Sequence, residues 1–123
     1  MSIYNEIVID LSYLEEVSGG NNEFIIEMID LFLAQTPGHI DELLAAVSAM
    51  DWKKIAELAH KVKPTLAFMG VESVKEVMAE IESNGRNEEN YEDIVVKINQ
   101  LQEVFTTIYA KLEIKKQELL QNN

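Results

Sequence analysis

The sequence predicts an all-α fold, an antiparallel up-and-down four-helix bundle with a short N-terminal helix. Three observations lead there. Apolar residues recur at helical spacing along nearly the whole chain, turn signals leave only brief connections between the stripes, and no segment alternates as a strand would. The one β-branched run, Ile7-Val8-Ile9, is too short to need a sheet.

Each element has its own signals. Ser12-Tyr13-Leu14-Glu15 opens a short first helix, because a Ser three residues before a Glu can form a reciprocal capping box; Gly19-Gly20 ends it. Asn21 or Asn22 caps a second helix with Ile25, Met28, Ile29 and Phe32 on one face. Thr36-Pro37 is expected to interrupt or restart that helix, since Thr caps well and Pro suits a first helical position; the stripe resumes at Ile40, Leu43, Leu44 and Val47. Asp51 caps the next helix, whose apolar face is Ile55, Leu58, Ala59, Val62 and Leu66, and Gly70 closes it. Val74, Val77, Met78 and Ile81 form a fourth stripe, with Asn84-Gly85-Arg86-Asn87 as a turn-rich stop. A long last helix starts near Asn90 and carries Ile94, Ile98, Leu101, Phe105, Ile108 and Leu112, leaving residues 117–123 as a frayed polar tail.

Composition narrows the function. A chain of 123 residues, 47% hydrophobic and 26% charged, suits a single soluble domain spanning 1–123. Its net charge of −12 disfavours nucleic acid and anionic membranes, which are bound by clustered cations. Without cysteine there is no disulfide, thiolate nucleophile or Cys-ligated metal. No signal-peptide pattern and no bilayer-length apolar run occurs, so a cytoplasmic location is expected. A monomer is the simpler expectation, since one bundle can bury every stripe. Neither a glycine-rich phosphate loop nor a nucleophile elbow is present, and the two histidines lack metal-site spacing. His39 is expected to be a surface or capping-region residue without chemistry.

His60 is the strongest chemical signal. On a helical wheel of about 100° per residue it falls about 150° from the apolar face, with Ala56, Lys63, Pro64 and Ala67. Small Ala56 and Ala67 beside an exposed imidazole suggest a patch cleared for a protein partner. Lys53, Lys54, Lys61 and Lys63 concentrate positive charge in an acidic chain, and Lys63, one turn away, is the nearest support for an anion at His60. Pro64 has no N–H for the His60 carbonyl, so a kink or local loosening is expected there.

Ala59-His60-x-Val62-Lys63, small residues, and Gly70 ten positions after the histidine resemble the signature of the histidine-containing phosphotransfer (HPt) domain. The likeness extends to Ile9-Asp10-Leu11-Ser12-Tyr13-Leu14, Gly19-Gly20, Leu31-Phe32-Leu33 before Thr36-Pro37, and Asp51-Trp52, covering about residues 9–112. Pro64 departs from it, standing where the family commonly has Gly or another small residue. The resemblance implies a phosphocarrier without its own catalytic apparatus. His60 would exchange a phosphoryl group with the aspartate of a response-regulator receiver domain, upstream of which stands a sensor or hybrid histidine kinase. Lys63 would steady phosphate charge, and Ala56, Lys61, Pro64, Ala67 and Gly70 would form the docking surface. No cofactor is expected on this chain; Mg²⁺ would belong to the receiver. The alternatives are a helical adaptor on the same fold that carries no phosphate, and a detached piece of a hybrid kinase.

Overall fold

The computed structural model describes residues 7–121, and among these five helices and no strand are found. They are α1 (Ser12–Ser18), α2 (Asn22–Ser48), α3 (Trp52–Phe68), α4 (Glu72–Asn87) and α5 (Tyr91–Gln121). The connections at residues 49–51, 69–71 and 88–90 are too short for anything but antiparallel neighbours. α2, α3, α4 and α5 pack in cyclic order, α3 and α4 most extensively, while α1 rests on α2. The core lies on the inward stripes, including Ile25, Ile29, Leu43, Ile55, Leu66, Met78, Ile81, Ile98 and Phe105.

Several boundaries differ from expectation. Ser12 does not cap α1: Leu11 holds the cap position and the Ser12 N–H donates to Asp10 Oδ1 at 3.0 Å, so the aspartate two residues upstream does the work of the expected capping box. Asn21 and Asp51 do cap, accepting the Phe24 and Lys54 N–H groups at 3.2 Å.

Thr36-Pro37 neither interrupts nor restarts α2, which runs unbroken through it with Thr36 buried. Losing one hydrogen bond at Pro37 is outweighed by a buried stripe, Ile29, Phe32, Thr36, Ile40 and Leu43, that needs continuous helix on both sides. Asn84-Gly85-Arg86-Asn87 is likewise helical, and the turn comes later, at Glu88 and Asn90, both with positive φ. Gly85 serves packing: a Cβ there would lie 3.1 Å from the Ala56 nitrogen and 3.3 Å from its Cβ, so glycine lets α4 approach α3 closely. The expected tail is also helical through Gln121, with Leu119 packed on the core; residues 122 and 123 lie outside the described residues.

Gly70 ends α3 with φ +68°, and a Cβ on it would sit 1.8 Å from the Asp10 carbonyl oxygen. This glycine is needed twice over, for the left-handed turn and for the close approach of the Asp10 main chain in the segment leading into α1.

Candidate functional site

His60 lies in the middle of α3, and its side chain is 62% exposed. Its ring is not free. Nδ1 sits 2.9 Å from Oε2 of Glu82, a buried carboxylate on α4 that no sequence signal had singled out. An ionised carboxylate only accepts, so Nδ1 carries the proton and Nε2 keeps its lone pair on the exposed side of the ring.

Glu82 is held from three directions. Lys63 Nζ donates to Oε1 at 2.7 Å, and Arg86 donates to Oε2 from Nε at 3.2 Å and from a terminal nitrogen at 2.6 Å. Burial is the largest single influence on this carboxyl and pushes its pKa up. The hydrogen bonds from Lys63, Arg86 and His60, with the Lys63 charge, outweigh it and bring the pKa down to about 2. Glu82 is therefore a carboxylate at any pH where the protein would work.

The local fold explains the cluster. Met78, Glu82 and Arg86 stand one turn apart on α4, and the Gly85 contact with Ala56 draws this helix against α3. Ala56 is consequently buried, at 6% exposure, and is not part of an open docking patch as expected. Around α3 it lies on the side that α4 covers, whereas Pro64 and Lys61 lie on the side left to solvent. Ala67 is half-buried, and Gly70 is occupied by its contact with Asp10. α3 stays helical through Pro64, which it contains.

Two surface features adjoin His60. A groove of about 610 Å³ runs from it between α3 and α4, lined by Trp52, Lys53, Ala56, Gly85 and Arg86 among others. In the other direction, Phe68, two turns beyond His60, is 37% exposed and stacks on Tyr13 of α1 with ring centroids 5.7 Å apart. His39 is not at a cap. It lies within α2, half-buried beside a small cavity that Thr65 and Phe68 of α3 also line, away from the His60 cluster. Among the described residues no group of three or more His, Asp or Glu side chains is placed to hold a metal ion.

The signal that could have found Glu82 is in α4's own pattern. Glu82 falls four residues after Met78, so an acid continues the apolar stripe, and a basic residue follows one turn later.

Comparison with known proteins adds to this geometry. A family model described as the Hpt domain matches residues 27–111. The phosphorelay intermediate protein rdeA of Dictyostelium discoideum is 31% identical over 80 residues, which are 65% of this chain and 32% of that one. The chain thus spans about a third of that relative's length. Among solved structures, histidine-containing phosphotransfer protein B (HptB) from Pseudomonas aeruginosa PAO1 superposes with a TM-score of 0.76 at 23% identity, covering 89% of this chain and 95% of that chain. The HPT domain of the Hpt sensor hybrid histidine kinase from Shewanella does so at the same TM-score, 0.76, and 17% identity, covering 89% and 94%. These two likenesses speak for the fold.

Proposed function

This chain belongs to the Hpt domain family, and we propose that it is a phosphorelay intermediate that carries a phosphoryl group on Nε2 of His60, received from or passed to the aspartate of a response-regulator receiver domain. One observation carries the reading: Glu82 occupies Nδ1 and leaves Nε2 as the exposed nucleophile. A neutral imidazole is nucleophilic near neutral pH without a base to activate it. Phosphoryl transfer needs chiefly positioning and charge neutralisation, and the hydrogen bond to a buried carboxylate fixes the ring's tautomer and plane.

The charge comes from two helices. Lys63 of α3 and Arg86 of α4 bind the same carboxylate as the ring, and each has hydrogen-bond donors beyond those spent on Glu82. They are the groups to meet phosphate oxygens, while Mg²⁺ and the acidic pocket belong to the partner. The chain itself acts as carrier and docking platform. Lys61, Pro64 and Ala67 surround the nucleophile on the exposed side, with the Tyr13–Phe68 pair extending the apolar surface; Gly70 shapes its base by turning α3 into α4. A sensor or hybrid histidine kinase would stand upstream. None of the helices among the described residues is long and apolar enough to cross a membrane.

Incubation with a phosphorylated receiver domain tests this. An acid-labile, alkali-stable phosphoryl adduct is expected on the wild type and on a His39→Gln control, and none on His60→Gln. A wild type that never acquires the adduct, or a His60→Gln variant that does, overturns the proposal; the former with retained receiver binding leaves a phosphate-free adaptor.

A further inference from the structure

We propose that Glu82 is a positioning residue that holds the Nδ1 proton on the His60 ring throughout the phosphorylated state, so that the phosphoryl group always departs from an imidazolium. This rests on the reading of His60 as phosphoryl acceptor and adds what controls the lifetime of the adduct.

The chemistry follows the electrons. When the Nε2 lone pair attacks phosphorus, the bond between phosphorus and the donor oxygen breaks and its pair leaves with the donor carboxylate. The ring, still protonated at Nδ1, becomes cationic. In the reverse step the Nε2–P bond breaks, its electron pair returns to Nε2, and the leaving group is neutral imidazole. No proton needs to move in either direction. Had Nδ1 lost its proton, the same departure would expel an imidazolate anion, a far poorer leaving group. Whether the ring keeps that proton therefore separates a labile, transfer-ready phosphohistidine from an inert one.

The geometry places an anion where it secures the proton. Glu82 Oε2 lies 2.9 Å from Nδ1, and its side chain is only 8% exposed, fixed by Lys63 and Arg86 so that it cannot swing away. The carboxylate thus accepts the Nδ1–H hydrogen bond and stands beside the nitrogen that must keep its proton while Nε2 carries phosphorus. Other charged groups at the ring act in both directions: Lys63 from α3 and Arg86 from α4 oppose the ring's positive charge, and the groove adds Lys53, Glu57 and Glu88. Exposed Lys61 follows His60 directly. Glu82 is the one among them in contact with Nδ1. Its own low pKa keeps it ionised while it does so.

The test needs no cognate partner. Potassium phosphoramidate transfers its phosphoryl group to histidine with loss of ammonia, and ³¹P NMR then follows phosphohistidine decay between pH 5 and 9. In wild type the fast, acid-labile regime is expected to persist to higher pH than in Glu82→Gln, by about one pH unit, so that on the falling limb the variant adduct lives about tenfold longer. Gln keeps a hydrogen-bond acceptor for Nδ1–H and removes only the charge, so a purely structural role would leave the profile unmoved. Lys53→Gln, a groove residue with no hydrogen bond to Glu82, supplies the opposite sign: with a competing cation gone, its profile is expected to move to higher pH. Superimposable profiles for wild type and both variants overturn the inference, as does Lys53→Gln moving in the same direction as Glu82→Gln. A wild type that forms no phosphohistidine overturns instead the assignment of His60 on which it rests.

Discussion

Four donor contacts from three side chains converge on the two carboxylate oxygens of Glu82, and this convergence turns a buried acid from a liability into the anchor of the site. It also ties the site to folding. The folded-state pKa is lowered from 4.5 to about 2, so the stabilisation is fully present above pH 4.5 and is lost as pH falls through about 2. Glu82→Gln is therefore expected to be less stable than wild type at neutral pH by about 3 kcal/mol in urea unfolding. The gap should narrow below pH 4.5 as the wild-type carboxyl takes up its proton; a gap independent of pH from 7 to 2.5 would show that the ionised cluster contributes nothing. His60 and Lys63 were legible in the sequence because the motif spacing names them. Glu82 was not, since two of its three partners, His60 and Lys63, lie 22 and 19 residues away on another helix, and the third, Arg86, by itself reads as an ordinary i,i+4 pair.

Among the elements, α3 and α4 matter most, and two glycines set how they meet. Gly85 permits the close approach to Ala56, and Gly70 permits the turn between the helices over the Asp10 carbonyl. Gly70→Ala combines a left-handed backbone with a clash against main chain, so it is expected to cost more than about 3 kcal/mol in urea unfolding and to loosen the lead-in to α1. Gly85→Ala meets its neighbours at 3.1 to 3.3 Å, where small shifts suffice, and should cost about 1–2 kcal/mol. Equal losses for the two would contradict this ranking. Pro64 offers a gain: Pro64→Ala restores the donor for the His60 carbonyl and should add about 1–3 kcal/mol of stability, measured in the same way. No gain would mean that the helix has already accommodated the missing bond. The sequence placed Gly70 correctly as a helix stop but misread Gly85 as one, because a glycine signals either a turn or a close approach and only packing tells which.

At the scale of the whole molecule, a net charge of −12 sits on a surface whose basic residues are unevenly spread. Four of the ten lie between residues 53 and 63, and Arg86 joins them in space. Self-repulsion elsewhere lowers stability, so raising NaCl from about 0.01 to 0.3 M should raise Tm by a few degrees at pH 7 as the Debye length contracts. A flat or falling Tm would show that local ion pairs outweigh the net charge. The same distribution leaves a basic spot around His60 on an acidic body, as the proposed phosphoryl exchange with an acidic receiver pocket would require.

Periodicity and capping residues were enough to define an all-α chain, its helix order and an exposed histidine, because helical spacing is a local property that each segment carries alone. Continuity was another matter: α2 passes Pro37 and α4 passes Gly85 because buried stripes on neighbouring helices hold them together, and α5 runs on past its last buried residue, Leu112, to Gln121 with Leu119 packed on the core. The site was decided at the same level. Which face of α3 meets α4 determined that Ala56 is covered, that Lys63 and Arg86 share a carboxylate, and that His60 presents Nε2. A hydrogen bond between helices depends on how two faces are brought together, and no spacing within either helix encodes that distance.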